Sequence, residues 1–404
     1  NHQGEGPGTG AMLQNVDKDP WRWVMLAVVS LAMLLSLTSW MTATAIGPEL
    51  QLKWSLSSSQ LGWLTTIVQL GFVVGTGLGA ILNLADVLPS RAYFALSAFL
   101  AAVSNVLLLS SDGFSEALPA RFFTGFFLAG VYPPGMKMVS TWFQSARGLA
   151  IGTVVGALTV GKATPYLLKA VGGTDTAVVI IGGSIAGLLA SILVASAYRD
   201  GPYPFPSRPF EWSRVGKLLR HRETLLATGG YLGHMWELYA MWTWISAFLF
   251  AAAAGVVSDT VIDLVVFGAI GAGALGCVWG GAAADRIGRH RVVNLAMAIS
   301  GGCCLVAGFV FQAPFSFLVI LTWVWGFFVV ADSAQFSALV TEVAPQDSVG
   351  TALMLQTSLG FLLTMVTIQA VPAIVGVLGW QWAFAFLALG PAAGICSILL
   401  LERS

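Results

Sequence analysis

The sequence predicts an all-α membrane protein in which twelve transmembrane helices form two pseudo-symmetric six-helix bundles. Three observations lead to this fold class. The chain has 404 residues, of which 57% are hydrophobic and only 9% are charged, a balance far from that of a soluble protein. Apolar runs long enough to cross a bilayer recur about twelve times. Two landmarks are also repeated at an offset close to half the chain length.

The repeated landmarks are a charged loop and a glycine-aromatic triplet. Asp86 matches Asp285 at an offset of 199 residues, and the Gly-Phe-Phe triplet at 125–127 matches the triplet at 326–328 at an offset of 201. Two matches at nearly one offset indicate a duplicated unit whose copies have the same orientation. The two bundles are therefore expected to be related by a pseudo-twofold axis along the membrane normal.

The chain divides into four predicted segments. Residues 1–20 are polar and Gly-rich, and we expect a disordered cytoplasmic tail, since no signal-peptide core is present. Residues 21–198 form the N-terminal six-helix bundle and residues 224–404 the C-terminal one. Residues 199–223 are expected to be a cytoplasmic linker, in which Pro-rich chain precedes an amphipathic helix carrying Trp212.

The first apolar run predicts a helix from about residue 21 to residue 46, ended by Gly47 and Pro48. Its second half is rich in Ser and Thr and includes Trp40. Such a surface either lines a cavity, in which case Trp40 contacts the substrate, or packs through small hydroxyl residues. The centres of all the apolar runs lie near residues 33, 71, 101, 130, 159, 187, 238, 271, 302, 329, 363 and 391.

The most specific motif is the loop between predicted helices eight and nine, which reads GGAAADRIGRHR over residues 280–291. It contains Asp285, Arg286 and Arg289 and resembles GxxxDRxGRR, the loop signature of the major facilitator superfamily of twelve-helix transporters. The alternative is an ordinary basic loop at the membrane surface. The resemblance implies that the three charged residues form a gate in which the aspartate pairs with the arginines.

The first copy of this loop carries Asp86 and Arg91. Val87 replaces the Arg that follows the Asp in the superfamily pattern, and Pro89 replaces the Gly. The resemblance extends a gating role to Asp86 and Arg91, with these two departures from the pattern.

Arg121 begins the sequence RFFTGFFLAG in predicted helix four. This sequence resembles the superfamily's RxxxGxxxxG pattern, whose arginine is often linked to proton coupling, and that role is implied for Arg121. The alternative is an arginine that extends to the membrane surface. The stretches YPPGMKMVSTWF and RGLAIG look like those of bacterial nitrate/nitrite and cyanate-type porters. The arginines that nitrate porters place in helices two and eight are absent, however, so nitrate is not the expected substrate.

Ionisable residues at membrane depth are costly unless they face a cavity or a partner, so each is a candidate functional residue. Lys137 follows Tyr132 and two prolines in helix four, and Lys162 lies midway along helix five. Each lysine either contacts a substrate anion or pairs with another helix. Tyr132 is expected to line the same cavity.

Predicted helix seven carries His234 and Glu237, whose spacing of three places them on one face. We expect Glu237 to bind the coupled proton and His234 to share its charge. Trp236 and Tyr239 suggest a stacking wall for the substrate, although aromatic packing alone also explains them.

Predicted helices ten and eleven add polar groups at membrane depth. Asp332 is a second candidate proton site. Gln335 and Gln356 are expected to orient the substrate. The expected charge pattern therefore has cations in the first half and carboxylates in the second.

The distribution of basic residues predicts a multi-pass protein of the bacterial inner membrane with both termini in the cytoplasm. Fourteen of the nineteen basic residues fall on the side of the termini, and only Lys53 and Lys169 fall on the far side. The zero net charge argues against a nucleic-acid partner. We expect a monomer without cofactor or metal, whose four cysteines are small apolar residues.

The predicted function is secondary active transport of a small organic anion or zwitterion by alternating access, coupled to protons. A proton-driven multidrug exporter is the alternative, although helix five lacks the glycine-proline pair of the drug/proton antiporter motif that it resembles. A membrane-embedded enzyme or sensor is the other class to consider. The sequence has no HExxH, nucleophile elbow or P-loop, so an enzyme is not expected.

Overall fold

The structure, a computed structural model, describes residues 19–144, 146–203, 210–253 and 255–403. Most of the predicted tail and the Pro-rich part of the predicted linker, residues 204–209, lie outside the described residues. The first six spans are α1 (Trp21–Leu37, followed by short helices Thr42–Ala45 and Gly47–Trp54), α2 (Ser58–Ile81), α3 (Ser90–Val106), α4 (Phe114–Leu128 and Tyr132–Ser140), α5 (Arg147–Gly172) and α6 (Thr176–Ala197).

A short linker helix, Trp212–Leu218, precedes the second six spans. These are α7 (Arg222–Ala253), α8 (Asp259–Ile287), α9 (Arg289–Val310), α10 (Phe315–Ala331 and Ser333–Val343), α11 (Val349–Ala383, which breaks at Gly379) and α12 (Leu389–Glu402). Within the described residues, nine helical segments are long and apolar enough to cross a membrane. The first helix of α1, α4 and α7 complete the twelve spans. Residues 19 and 403, the ends of the described chain, therefore lie at one membrane face, here called the terminal face.

The prediction for α1 was wrong in its second half. The long helix ends at Leu37 rather than near residue 46, and Gly47 and Pro48 begin a helix instead of ending one. Proline is tolerated in the first helical turn because the N–H that it lacks has no partner there. The break follows Leu37 because the carbonyl oxygens of Ser39 and Trp40 accept hydrogen bonds from another helix, as described below.

The two halves repeat one helix crossing, with a glycine at the equivalent position in each half. A Cβ added to Gly125 on α4 would lie 2.0 Å from the carbonyl oxygen of Val68 on α2. A Cβ added to Gly326 on α10 would lie 1.7 Å from the carbonyl oxygen of Ala269 on α8. Only glycine permits such a close approach of two backbones. A second pair of crossings is Gly75 against Phe126 in the first half and Gly276 against Phe327 in the second.

In both pairs of crossings, each residue of the second half carries a number 201 higher than its counterpart in the first half. The offset found in the Gly-Phe-Phe triplets therefore holds for tertiary contacts as well as for sequence. The protein consists of two pseudo-symmetric six-helix bundles, and the predicted fold class is confirmed.

The two halves meet along two pairs of helices, α5 with α8 and α2 with α11. Small residues line the α5–α8 contact. A Cβ on Gly152 would lie 3.2 Å from the carbonyl oxygen of Cys277, and one on Gly156 would lie 3.1 Å from that of Ala274. This contact brings the middle of α5, which carries Lys162, between the two bundles.

Candidate functional site

Lys162 lies at the centre of the molecule in a cage of aromatic rings. Its side chain is 4% exposed, and its Nζ lies 4.2 Å from the ring centroid of Trp40, 4.8 Å from that of Tyr239 and 5.4 Å from that of Trp242. The ammonium donates a hydrogen bond to the hydroxyl of Tyr239. Among the described residues, no carboxylate lies within ion-pair distance of Lys162. The ring faces stabilise the cation in place of a carboxylate.

The rings of this cage come from both halves of the protein. Trp40, which follows α1, belongs to the first half, while Tyr239 and Trp242 on α7 belong to the second. Phe72 on α2 and Phe361 on α11 pack against these rings from the two sides. Ring centroids are 4.7 Å apart between Phe72 and Phe361, 5.9 Å between Trp40 and Phe361 and 6.0 Å between Trp40 and Tyr239. The cage therefore forms part of the interface that must separate if the halves move apart.

Several polar atoms around the cage are buried without a hydrogen-bond partner. They are the indole nitrogens of Trp40 and Trp242 and both side-chain polar atoms of Gln69. Gln69 precedes Phe72 by three residues and so lies on the same face of α2. Buried polar groups are normally satisfied, so this set marks a place where a polar ligand would complete the hydrogen bonding. Two of the four atoms are indole nitrogens, which only donate.

Glu237 lies on α7 two residues before Tyr239 and faces the interior of the second bundle. Its carboxylate accepts hydrogen bonds from the indole of Trp325 at 2.5 Å, the hydroxyl of Ser300 at 2.9 Å and the thiol of Cys304 at 3.2 Å. The side chain is 1% exposed, and no base among the described residues pairs with it. A carboxyl group in these surroundings can hold a proton as well as accept three hydrogen bonds.

His234, which was predicted to share the charge of Glu237, lies beside a different carboxylate in this structure. Its Nδ1 lies 2.9 Å from Oδ1 of Asp332 on α10, and both side chains are buried. One helical turn separates His234 from Glu237 along α7, but Glu237 is directed at α9 and α10 through Ser300, Cys304 and Trp325. Asp332 sits between the two helices of α10, where it is the last residue before the second helix begins.

Arg121 is completely buried and forms hydrogen bonds with the backbone at the break in α1. Its Nη1 donates to the carbonyl oxygen of Ser39 at 3.1 Å and to Oδ1 of Asn105 at 2.9 Å, and its Nη2 donates to the carbonyl oxygen of Trp40 at 2.5 Å. These carbonyls would bond within α1 if its helix continued. Arg121 does not extend to the membrane surface, and it fixes the backbone of a residue whose ring contacts Lys162.

The remaining residues proposed for substrate binding lie apart from the cage or contribute no contact to it. Trp236 lies against the start of α12, and its indole donates to the carbonyl oxygen of Phe386, in the turn before α12, at 3.4 Å. Gln335 accepts a hydrogen bond from Arg289 at 3.1 Å. Gln356 is buried with its oxygen unpartnered, and Tyr132 begins the second helix of α4 half-buried against the core. Trp40, Tyr239 and Lys162 are the predicted residues that come together.

Comparison with known proteins decides the family. A family model described as Major Facilitator Superfamily matches residues 28–262, more than half of the chain. The chain belongs to the Major Facilitator Superfamily. A solved superfamily structure, a bacterial homolog of the human lysosomal transporter Spinster in an inward-facing and occupied conformation, covers 95% of this chain and 97% of its own with a TM-score of 0.69 and 15% identity. That likeness establishes the fold alone.

Three curated superfamily relatives match parts of the chain. A probable nitrate/nitrite antiporter, NarK1 of Thermus thermophilus, is 28% identical over 47% of this chain and 46% of its own length. The MFS-type transporter pytF of Aspergillus terreus is 27% identical over 58% of this chain and 78% of its own. The MFS transporter asaE of Aspergillus flavus is 24% identical over 73% of this chain and 66% of its own. The chain thus matches less than half the length of the Thermus relative.

The superfamily loop of the first half contains an ion pair with α4. Lys137 lies 3.2 Å from Oδ1 of Asp86 and donates at 2.6 Å to the carbonyl oxygen of Ala85. Lys137 was a candidate either for substrate binding at the central cavity or for a pair with another helix. It lies at the loop, because the second helix of α4 ends at the terminal face. Arg91 does not join this pair, since its guanidinium donates to the carbonyl oxygen of Ala195 at the end of α6.

The superfamily loop of the second half contains the reverse arrangement. Arg289 lies 2.8 Å from the carboxylate of Glu342 on α10. Asp285 was expected to pair with the loop arginines, but among the described residues no arginine lies within ion-pair distance of it. Its Oδ2 instead lies 3.8 Å from where a Cβ on Gly148 would be, beside the first turn of α5, where a helix favours negative charge. Arg286 is exposed.

A second charged cluster, which the sequence reasoning missed, joins the halves at the membrane face opposite the termini. Lys169 on α5 lies 3.2 Å from Glu49, which follows α1, and 3.7 Å from Asp263 on α8. Lys169 and Asp263 are both buried. Asp263 is a carboxylate within an apolar run, the same signal that identified Glu237 and Asp332. Within the described residues, no group of three or more His, Cys, Asp or Glu side chains is arranged to hold a metal ion.

Proposed function

We propose that this superfamily member is a proton-coupled secondary transporter of a small organic anion, with Lys162 as the anion site. The observation that carries the proposal is a buried ammonium between the two halves, with no carboxylate partner in the part of the chain that the structure describes. An unpaired charge at membrane depth is costly, and an anionic substrate would neutralise it. The aromatic rings stabilise the ammonium between transport events without competing for it as a carboxylate would.

The proposed transport cycle uses the division of charge between the halves. Substrate anion binds Lys162 and contacts Tyr239 at the interface of the two bundles. Protons bind in the second bundle at Glu237 and at the His234–Asp332 pair. Entry of one anion with one proton leaves the protein without a net change of charge, which lowers the cost of exposing the site to each face in turn. Whether protons move with the anion or against it decides between symport and antiport.

The remaining parts of the proposal concern location and assembly. The excess of basic residues at the terminal face favours a cytoplasmic position for both termini in a bacterial inner membrane. The buried apolar residues of both halves form one main cluster within a single chain, so we propose a monomer as the transporting unit. The superfamily loops at the terminal face would then form the cytoplasmic gate.

Purified protein in sealed liposomes tests the anion site. Labelled organic anions, zwitterions and cationic dyes are offered at equal gradients to the parent, to Lys162→Gln and to Lys162→Arg, with Lys53→Gln as the matched control because Lys53 is exposed. We expect the parent to carry an anion, Lys162→Gln to lose at least about tenfold in rate, the effect of roughly 1.4 kcal/mol, and Lys162→Arg to keep part of it.

Two results would contradict the proposal. Parental anion transport by Lys162→Gln removes the lysine from the mechanism. Transport of cationic dyes in preference to anions, driven by an opposing proton gradient, favours the multidrug exporter instead.

A further inference from the structure

The cage around Lys162 has a shape that selects among organic anions. The ring faces of Trp40 on the first half and of Tyr239 and Trp242 on the second surround the ammonium. Phe72 and Phe361 pack against Trp40 beside this cage. In this structure the rings of the two halves touch each other. Any substrate that binds at Lys162 must therefore replace contacts between aromatic rings.

The polar groups beside these walls favour one kind of head group. Two donor hydrogens of the Lys162 ammonium remain after its bond to Tyr239. The indole N–H groups of Trp40 and Trp242 are buried and unpartnered, and Gln69 adds an amide that is also unpartnered. A carboxylate has two oxygens and about four acceptor positions, so one carboxylate can accept from several of these donors together.

We propose that the substrate anion is an aryl carboxylate, a carboxylate joined to a flat aromatic body. This inference rests on the anion transporter proposed above and specifies its substrate class. The carboxylate pairs with Lys162, and the aromatic body stacks between the rings of the first half and those of the second. The ligand then replaces each lost ring contact with another ring contact.

Small anions meet only part of this arrangement. Acetate or nitrate would neutralise the ammonium but would leave one set of ring faces without contact when the halves separate. Cyclohexanecarboxylate supplies similar apolar bulk without a π face. Comparison of these anions therefore separates the charge of the substrate from its aromatic body.

The test measures uptake and counterflow of labelled benzoate, phenylacetate and 3-phenylpropionate by the purified protein in liposomes. Acetate, nitrate and cyclohexanecarboxylate are the comparison anions. Phe361→Leu and Phe72→Leu are compared with Phe317→Leu, a matched control on α10 whose ring is 55% exposed. Melting temperatures of each variant, with and without each anion, report binding separately from transport.

We expect the aryl carboxylates to be carried and to raise the melting temperature, with half-saturation concentrations at least about tenfold lower than those of the comparison anions. Phe361→Leu should raise the half-saturation concentration for the aryl carboxylates roughly three- to tenfold and change that for acetate little. Phe317→Leu should match the parent. If Phe361→Leu unfolds, Phe72→Leu gives the same comparison from the other half.

Two outcomes overturn the inference. Transport of acetate, nitrate or cyclohexanecarboxylate that depends on Lys162, with no transport of an aryl carboxylate, leaves the anion transporter intact and removes the aromatic substrate class. If the parent protein is folded in the liposomes and carries none of these anions, both proposals are overturned.

Discussion

The two halves of the protein repeat one backbone arrangement and carry opposite buried charges. Of the residues that the structure describes, the buried lysines and arginine all lie in the first half, and the buried carboxylates all lie in the second. The first set is Arg121, Lys162 and Lys169, and the second is Glu237, Asp263 and Asp332. Duplication has preserved the glycines at the helix crossings, whereas the charged positions have diverged.

This difference shows which properties the fold requires and which it leaves free. A helix crossing at backbone contact admits only glycine in either half. A buried charge requires only a local partner, and the partners differ. Arg121 uses backbone carbonyls, Lys162 uses ring faces, and Glu237 uses three side-chain donors. Lys169 and Asp263 alone pair across the halves among these six. In the proposed mechanism, opposite charges on facing bundles provide separate sites for the anion and for the protons.

The largest effect is expected from the carboxylates of the second half. Glu237→Gln should retain counterflow exchange and lose accumulation driven by a pH gradient, because the glutamine cannot exchange a proton. Its oxygen still accepts from Trp325, and Ser300 can turn to accept from the new amide. Uptake against a gradient, measured at equal amounts of reconstituted protein, checks this. Asp332→Asn is tested in parallel, and Glu402→Gln, exposed at the end of α12, is the control.

If both Glu237→Gln and Asp332→Asn accumulate substrate at the parental rate, protons are not bound by the second half. The buried charges of the two halves would then contribute to stability rather than to proton coupling. A facilitated or sodium-linked mechanism would replace the proposed one.

A smaller effect on transport but a large one on stability is expected at Arg121. Arg121→Gln should lower the free energy of unfolding by roughly 2 kcal/mol, since hydrogen bonds to a buried charged group are lost. Arg121→Lys keeps the charge but not the planar guanidinium that reaches the carbonyls of Ser39 and Trp40. It should therefore retain only part of the free energy of unfolding that Arg121→Gln loses. Thermal unfolding in detergent measures both. Parental melting temperature with loss of pH-driven accumulation would instead favour the proton-coupling role that the superfamily motif implies.

In the loop ion pairs, the loop carries the acidic residue in the first half and the basic residue in the second. Exchange of the two charges tests whether this arrangement affects the transport rate. In the first half the loop contributes Asp86 and α4 contributes Lys137, whereas in the second half the loop contributes Arg289 and α10 contributes Glu342. Lys137→Glu should slow transport roughly two- to fivefold, the shift expected from up to about 1 kcal/mol in a partly exposed pair. Adding Asp86→Lys should restore it.

Asp285→Asn belongs to the same comparison and should also slow transport without preventing membrane insertion. The reason is the loss of negative charge beside the first turn of α5 rather than loss of a pair with an arginine. Initial rates at equal expression measure the effect, with Asp112→Asn in the exposed α3–α4 loop as the control. Equal rates for Asp285→Asn and the parent would show that this contact does not hold a conformation of the gate.

The smallest effect is expected where the linker helix touches the second half. The side chain of Asp347 accepts hydrogen bonds from Ser348 and from Lys217, which together hold the pKa of its carboxyl below the usual value. A lowered pKa stabilises the folded state above the ordinary aspartate pKa, and this contribution is lost as pH falls through the lowered value. Lys217→Gln should therefore lower the melting temperature slightly at pH 7, and this difference should shrink as the pH falls below the ordinary aspartate pKa. A difference that grows on acidification would contradict the assignment.

The sequence by itself determined the twelve-helix fold, the duplication, the family loop and the list of charged residues at membrane depth. Hydropathy, glycine spacing and loop signatures are local properties, so one chain suffices to read them. It also identified Lys162, Trp40 and Tyr239 individually, because a lysine and aromatic side chains within apolar runs are unusual at any position.

Only the tertiary structure decided which charged residues meet. His234 and Glu237 share a helical turn, but the packing of α10 against α7 brings Asp332 to His234. Lys137 follows Arg121 on α4, but the length of α4 places it at the terminal face, beside the loop that contains Asp86. The break in α1 follows from Arg121, more than eighty residues away. Such contacts depend on the orientation of distant helices, which hydrophobic periodicity does not specify.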